Sequence, residues 1–90
     1  MKFEWDEAKA AKNIEKHGIS FPDAAAVFHD PNRVDEIDAR HDYGETRTNT
    51  IGHMNTVLIV TVTHTDRNGV TRLISARPAD REERKKYHHG

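Results

Sequence analysis

The sequence predicts an α+β fold: a short N-terminal strand, two helices, an antiparallel meander of three or four strands, and a C-terminal helix. Three observations carry that prediction. Apolar residues recur at helical spacing between Glu7 and Phe28, β-branched residues dominate from Thr46 to Arg77, and Asp80 stands three residues before Glu83 at capping-box spacing. Residues 1–90 read as one domain, because no composition break, linker or repeat divides them.

Each element has its own local cause. Phe3 and Trp5 alternate with Lys2, Glu4 and Asp6, the period of a strand with one buried face. Asp6 then caps a helix from Glu7 to about His17, with Ala10, Ala11 and Ile14 as its apolar stripe. Gly18 ends it in the left-handed conformation, which lets Ile19 fold back on Ile14. Ser20 opens a second helix three residues before Asp23, Phe21, Ala24, Ala25 and Phe28 line one side, and Asp30-Pro31 stops it. Arg33 to Asp38 reads as a strand with Val34 and Ile37 on opposite faces, and His41 to Glu45 as a loop. The β-prone runs Thr46 to Ile51, Val57 to Thr65 and Val70 to Arg77 are separated by Gly52 to Asn55 and by Asp66 to Gly69, both short enough for hairpins. A closing helix runs to about Tyr87, and no function is placed on His88-His89-Gly90.

Composition excludes several classes of chemistry. The chain has no cysteine, so disulfides, thiolate catalysis and Cys-based zinc sites are all ruled out. No apolar run approaches the roughly 20 residues of a membrane span, and the start lacks a signal peptide's apolar core, so a cytoplasmic protein without membrane contact is expected. Net charge is −1, but unevenly placed: Met1 to Thr46 holds 6 Lys/Arg against 11 Asp/Glu, and Arg47 to Gly90 holds 8 against 4. A basic C-terminal half suits phosphate or an acidic partner. Asp35, Glu36, Asp38, His41 and Asp42 form an acidic stretch with no repeated ligand spacing, which reads as solvated surface; no metal or cofactor is expected.

Two helices over one face of a small sheet leave the other face partly open, and that face is the natural site. If Asp66 to Gly69 is the turn and Thr65 faces Val70, Leu58 stands opposite Arg77 and His64 opposite Thr71. His64 and Arg77 then share a face, near opposite ends of the hairpin. RNA cleavage suits such residues, because the 2′-hydroxyl is a built-in nucleophile and the protein supplies proton carriers and cations. Arg77 and Arg47 suit the phosphate through their planar forks; His64, Glu83 and Tyr87 are the candidate proton carriers, although capping already accounts for Glu83. Arg72, Arg81, Arg84, Lys85 and Tyr87 offer a surface for RNA or a partner. Trp5 is either core or a base-stacking platform.

The runs Phe3-Glu4-Trp5-Asp6-Glu7, Lys16-His17-Gly18-Ile19-Ser20-Phe21, Ala24 to Phe28, Thr50-Ile51-Gly52, Val57 to His64 and Arg72 to Ala79, with Arg84 and Tyr87, resemble the BrnT toxins in order and over nearly the whole chain. That resemblance implies a RelE-like fold and a ribonuclease toxin of a bacterial type II toxin-antitoxin pair. The implied partner is a small BrnA-like antitoxin whose ribbon-helix-helix part dimerises, so that two toxins and two antitoxins bind operator DNA through the antitoxin. Arg77 matches the arginine of the family's Ile-Ser-x-Arg motif, and His64 a position where relatives place a His or a basic residue. Trp5 and Arg47 match family positions of less defined role. The expected activity is metal-independent endoribonucleolytic cleavage of cellular RNA that inhibits translation; the alternative is a non-catalytic antitoxin partner and co-repressor of its own operon. An acidic antitoxin segment is expected against the C-terminal basic surface.

Overall fold

A computed structural model describes residues 1–38 and 44–89. Its elements are β1 (Phe3–Glu4), α1 (Glu7–His17), α2 (Phe21–Ala24) continued by a 3₁₀ segment (Ala25–His29), β2 (Val34–Asp38), β3 (Arg47–His53), β4 (Ile59–Arg67), β5 (Val70–Pro78) and α3 (Arg81–His89). The strands form one five-stranded mixed sheet in the order β1-β5-β4-β3-β2. β2 to β5 make a four-stranded antiparallel meander, and β1 joins parallel to β5.

The predicted caps form. Asp6 accepts from the Lys9 amide at 3.0 Å, Ser20 from the Asp23 amide at 3.2 Å, and Gly18 sits at φ 71° with its amide on the Ile14 carbonyl. Asp80 and Glu83 bond each other's amides at 2.9 and 3.0 Å, which completes the capping box of α3. The stripe of α1 differs from expectation: Ala10 and Asn13 are buried, whereas Ile14 is 50% exposed. Asn13 replaces apolar contact with three hydrogen bonds, donating to the Ile19 and Ala76 carbonyls and accepting from the Ala76 amide. That ties α1 to β5 without an unsatisfied buried amide.

Helices α1 and α2 and the 3₁₀ segment cover one face of the sheet, hereafter the helical face. Phe21, Ala24 and Val27 pack there against Val60, Val62, Leu73 and Ala76, with Phe3, Trp5 and Phe28 at the margin. On the opposite face a smaller cluster of Ile51, Ile59 and Ala79, flanked by Val34 and Tyr87, seats α3. Among the described residues no element covers the remainder of that second face.

The β4–β5 hairpin departs from the expected register. The turn is only Asn68-Gly69, at φ 53° and 81°, so Arg67 rather than Thr65 faces Val70. Asn-Gly supplies the two positive-φ residues that a tight hairpin turn matching strand twist requires. A bulge then shifts the pairing between Thr63 and His64: His64 faces Leu73, but Thr63 faces Ser75, so the backbone at Ile74 is the extra residue. Beyond it, Thr61 faces Arg77 and Val62 faces Ala76. Leu73 and Ala76, three residues apart, both reach the helical core.

Candidate active site on the open sheet face

The bulge separates the two residues expected to work together. His64 points to the helical face, where its ring meets the edge of Phe28 at 4.9 Å; Arg77 points to the open face and α3. The expectation of a shared face is therefore corrected. One extra residue in β5 inverts the parity of everything beyond it.

On the open face, neighbouring strands place Glu36, Asn49, Thr63 and Ser75 in one row, and Val34, Ile51, Thr61 and Arg77 in the next. Arg77 grips Glu83 with both guanidinium arms, at 2.6 and 2.9 Å. Burial alone would raise the Glu83 carboxyl, but the Arg77 hydrogen bonds and the Asp80 amide outweigh it and hold the group below its ordinary value. Glu83 is thus ionised at neutral pH, as cap, ion-pair partner and proton acceptor of low basicity. Arg47 is half-buried on β3 with Nε 3.6 Å from Glu45, and Arg72 pairs with Glu4 across the β1–β5 seam. Each of these three arginines meets a carboxylate.

A cleft of about 300 Å³ lies between α3 and the β2–β3 end of the sheet. Arg77, Asn49 and Lys86 line it with five carboxylates, Glu36, Asp38, Asp80, Glu82 and Glu83. Lys86 bonds Glu36 at 2.7 Å, an attraction that raises the ammonium's pKa. The inner side of α3 is therefore acidic, because Glu36 and Asp38 of β2 meet Asp80, Glu82 and Glu83 at the start of the helix. Arg81, Arg84 and Lys85 are exposed; Arg84 also donates to the Ala79 carbonyl at 2.7 Å, and Lys85 stands 3.6 Å from Glu82.

Tyr87 does not serve as a free hydroxyl. It donates to Asp30 at 2.6 Å, and that bond to a carboxylate pushes its pKa up to about 12. Asp30 also accepts the His53 amide at 2.8 Å, so it joins the 3₁₀ segment's end, β3 and α3. Trp5 packs edge-on against Phe21 at 6.0 Å and donates to Glu7. Its place on the helical face removes it from the Arg77 cleft.

A second polar constellation, unforeseen in the sequence, surrounds His64. Thr50 donates to Asp35 at 2.6 Å and lies 2.7 Å from His64 Nε2. A hydroxyl has one proton to give, so Nε2–H is the donor in the second bond and Nδ1 carries the lone pair. Burial depresses the His64 pKa, against the pull of Asp35 and Asp66. Thr50 is fully buried, so the chain of bonds fastens β2, β3 and β4 rather than presenting a nucleophile. Its only sequence signal is that Asp35, Thr50 and His64 fall on one sheet face once the register is known. Of the acidic stretch considered for a metal, His41 and Asp42 lie outside the described residues; among the described residues no cluster of His and carboxylate side chains is arranged to hold a metal ion.

This architecture is shared with a small ribonuclease toxin of known structure. The crystal structure of the Brucella abortus ribonuclease toxin BrnT superposes with a TM-score of 0.68 at 29% sequence identity, covering 90% of this chain and 99% of that one. No curated protein sequence matches significantly. The family model described as "Ribonuclease toxin, BrnT, of type II toxin-antitoxin system" matches residues 5–83, and the chain belongs to that family.

Proposed function

We propose that this chain is an endoribonuclease toxin of RelE-like descent that cleaves cellular RNA in the cytoplasm, inhibits translation, and is held inactive by a BrnA-like antitoxin. Family membership supports the class of activity; the bidentate Arg77–Glu83 pair lining the open-face cleft is the observation that supports its location. In this reading Arg77 transfers its fork from Glu83 to the scissile phosphate, Arg47 adds charge from β3, and the released Glu83 carboxylate takes the 2′-hydroxyl proton. The 2′-oxygen bonds to phosphorus, the P–O5′ bond breaks, and water protonates the leaving 5′-oxygen. No resident metal is required by this sequence of steps, since the nucleophile belongs to the substrate. His64 stands on the other sheet face and takes no part at that phosphate.

The carboxylate surplus of the cleft favours a second reading, a non-catalytic partner that binds antitoxin and co-represses its operon. Expression of the chain without antitoxin, beside Arg77→Ala, separates the two. Growth arrest with degraded RNA for the wild type, and neither for Arg77→Ala, is the expected result. Unimpeded growth and intact RNA with folded wild-type protein would contradict the enzyme reading. The outward basic face of α3, Arg81, Arg84 and Lys85, is the proposed seat for an acidic antitoxin segment, within an assembly of two toxins and two antitoxins that binds operator DNA.

A further inference from the structure

We propose that Asn49 contacts the substrate as a neutral N–H donor, placing a non-bridging phosphate oxygen of bound RNA beside Arg77; the inference rests on the cleft reading above. Asn49 sits on β3, half-buried, facing the same cleft as Arg77. Its cross-strand neighbour Thr63 donates a hydroxyl proton to Asn49 Oδ1 at 2.6 Å. That bond takes one lone pair of the carbonyl oxygen and orients the carboxamide, with Oδ1 toward Thr63. Nδ2 makes no hydrogen bond among the described residues; the cross-strand neighbour of Asn49 on β2, Glu36, bonds Lys86 instead.

A fixed donor on the cleft wall, bonded to no protein acceptor, can exchange water for a ligand oxygen without breaking a protein contact. The same bond restricts which ligand suits. Reading adenine through its edge requires an amide to donate and accept together. With Thr63 already on Oδ1 and both N–H groups unmatched, the unmet capacity of Asn49 is chiefly that of a donor, which suits an acceptor such as a phosphate oxygen. A neutral donor also suits a cleft whose cations already face carboxylates, because it can hold phosphate without a proton or an ion pair being exchanged.

Single-turnover cleavage of a short RNA by the purified full-length chain tests the idea, with thermal melting to establish folding. Asn49→Ala is expected to slow cleavage about 10- to 100-fold, and Asn49→Asp, equal in shape but without the donor, at least about as much. Thr63→Val frees the carboxamide to turn and is expected to cost roughly 5-fold, with Thr63→Ser restoring the rate. A melting temperature unchanged alongside these losses distinguishes substrate contact from a structural role. If Arg77→Ala is inactive while both Asn49 variants and Thr63→Val cleave like the wild type, the Asn49 inference is overturned and the cleft stands. If Arg77→Ala cleaves like the wild type, the cleft reading fails and the inference with it. Should the Asn49 variants not fold, the Thr63→Val and Thr63→Ser pair still decides it.

Discussion

Arg77 and Glu83 show how one ion pair can be both structural and poised for chemistry. Glu83 closes the capping box of α3 and neutralises Arg77 in the same contact. Glu83→Gln keeps the shape but loses the charge, and is expected to lower unfolding stability by about 2 kcal/mol near neutral pH, the scale of a charge-assisted hydrogen bond. The sign with pH follows from the depressed folded-state pKa. The contribution is present above the ordinary carboxyl value of 4.5 and is lost as pH falls through the lower folded value, so the wild-type advantage in urea unfolding should shrink below about pH 4.5. At Tyr87 the sign reverses: its raised pKa gives stability that is complete below 10 and lost as pH rises through about 12, and Tyr87→Phe should abolish that alkaline loss. The Asp80–Glu83 box was legible in the sequence because capping is a rule over three residues. The Arg77–Glu83 pair was not, since it also needs α3 to fold back over the end of β5.

At the scale of elements, the caps and the Gly18 stop were readable because each is a local bargain between side chain and backbone. Whether His64 and Arg77 share a face was not. It depends on a two-residue Asn-Gly turn, which the sequence shows, and on a bulge at Ile74, which it does not; the bulge lets both Leu73 and Ala76 enter the core. Asn13 was missed for a similar reason, since its acceptors include a carbonyl 63 positions away. Asn13→Leu should destabilise by about 3 kcal/mol, because it strands the Ala76 amide and two carbonyls, and denaturant unfolding measures it. Gly52, expected to begin a turn, instead lies buried within β3. An added Cβ would stand 3.3 Å from both Asp30 Oδ2 and Val27 Cβ, so Gly52→Ala should cost about 1–3 kcal/mol by crowding the seam between β3 and the 3₁₀ segment.

The chemistry proposed for the whole molecule lies on the face that the first two helices leave uncovered, with α3 closing one end. Its slight net negative charge and acid-lined cleft oppose long-range capture of RNA, so affinity must come from a few short contacts. With Arg47, Arg72, Arg77 and Lys86 as the cations of the open face and its cleft, the logarithm of RNA affinity should fall against the logarithm of salt with a slope no steeper than about −3, measured by filter binding. A steeper slope would move the RNA to the outward face of α3. The claim that joins fold to function is that chemistry occurs at Arg77 on the open face and not at His64 behind it. Single-turnover RNA cleavage across pH by purified wild type, Arg77→Ala and His64→Ala tests it most directly. Arg77→Ala should show no cleavage, and His64→Ala a pH profile that superimposes on that of the wild type. Loss of activity in folded His64→Ala, or of an inflection near neutral pH that the wild type shows, would contradict it.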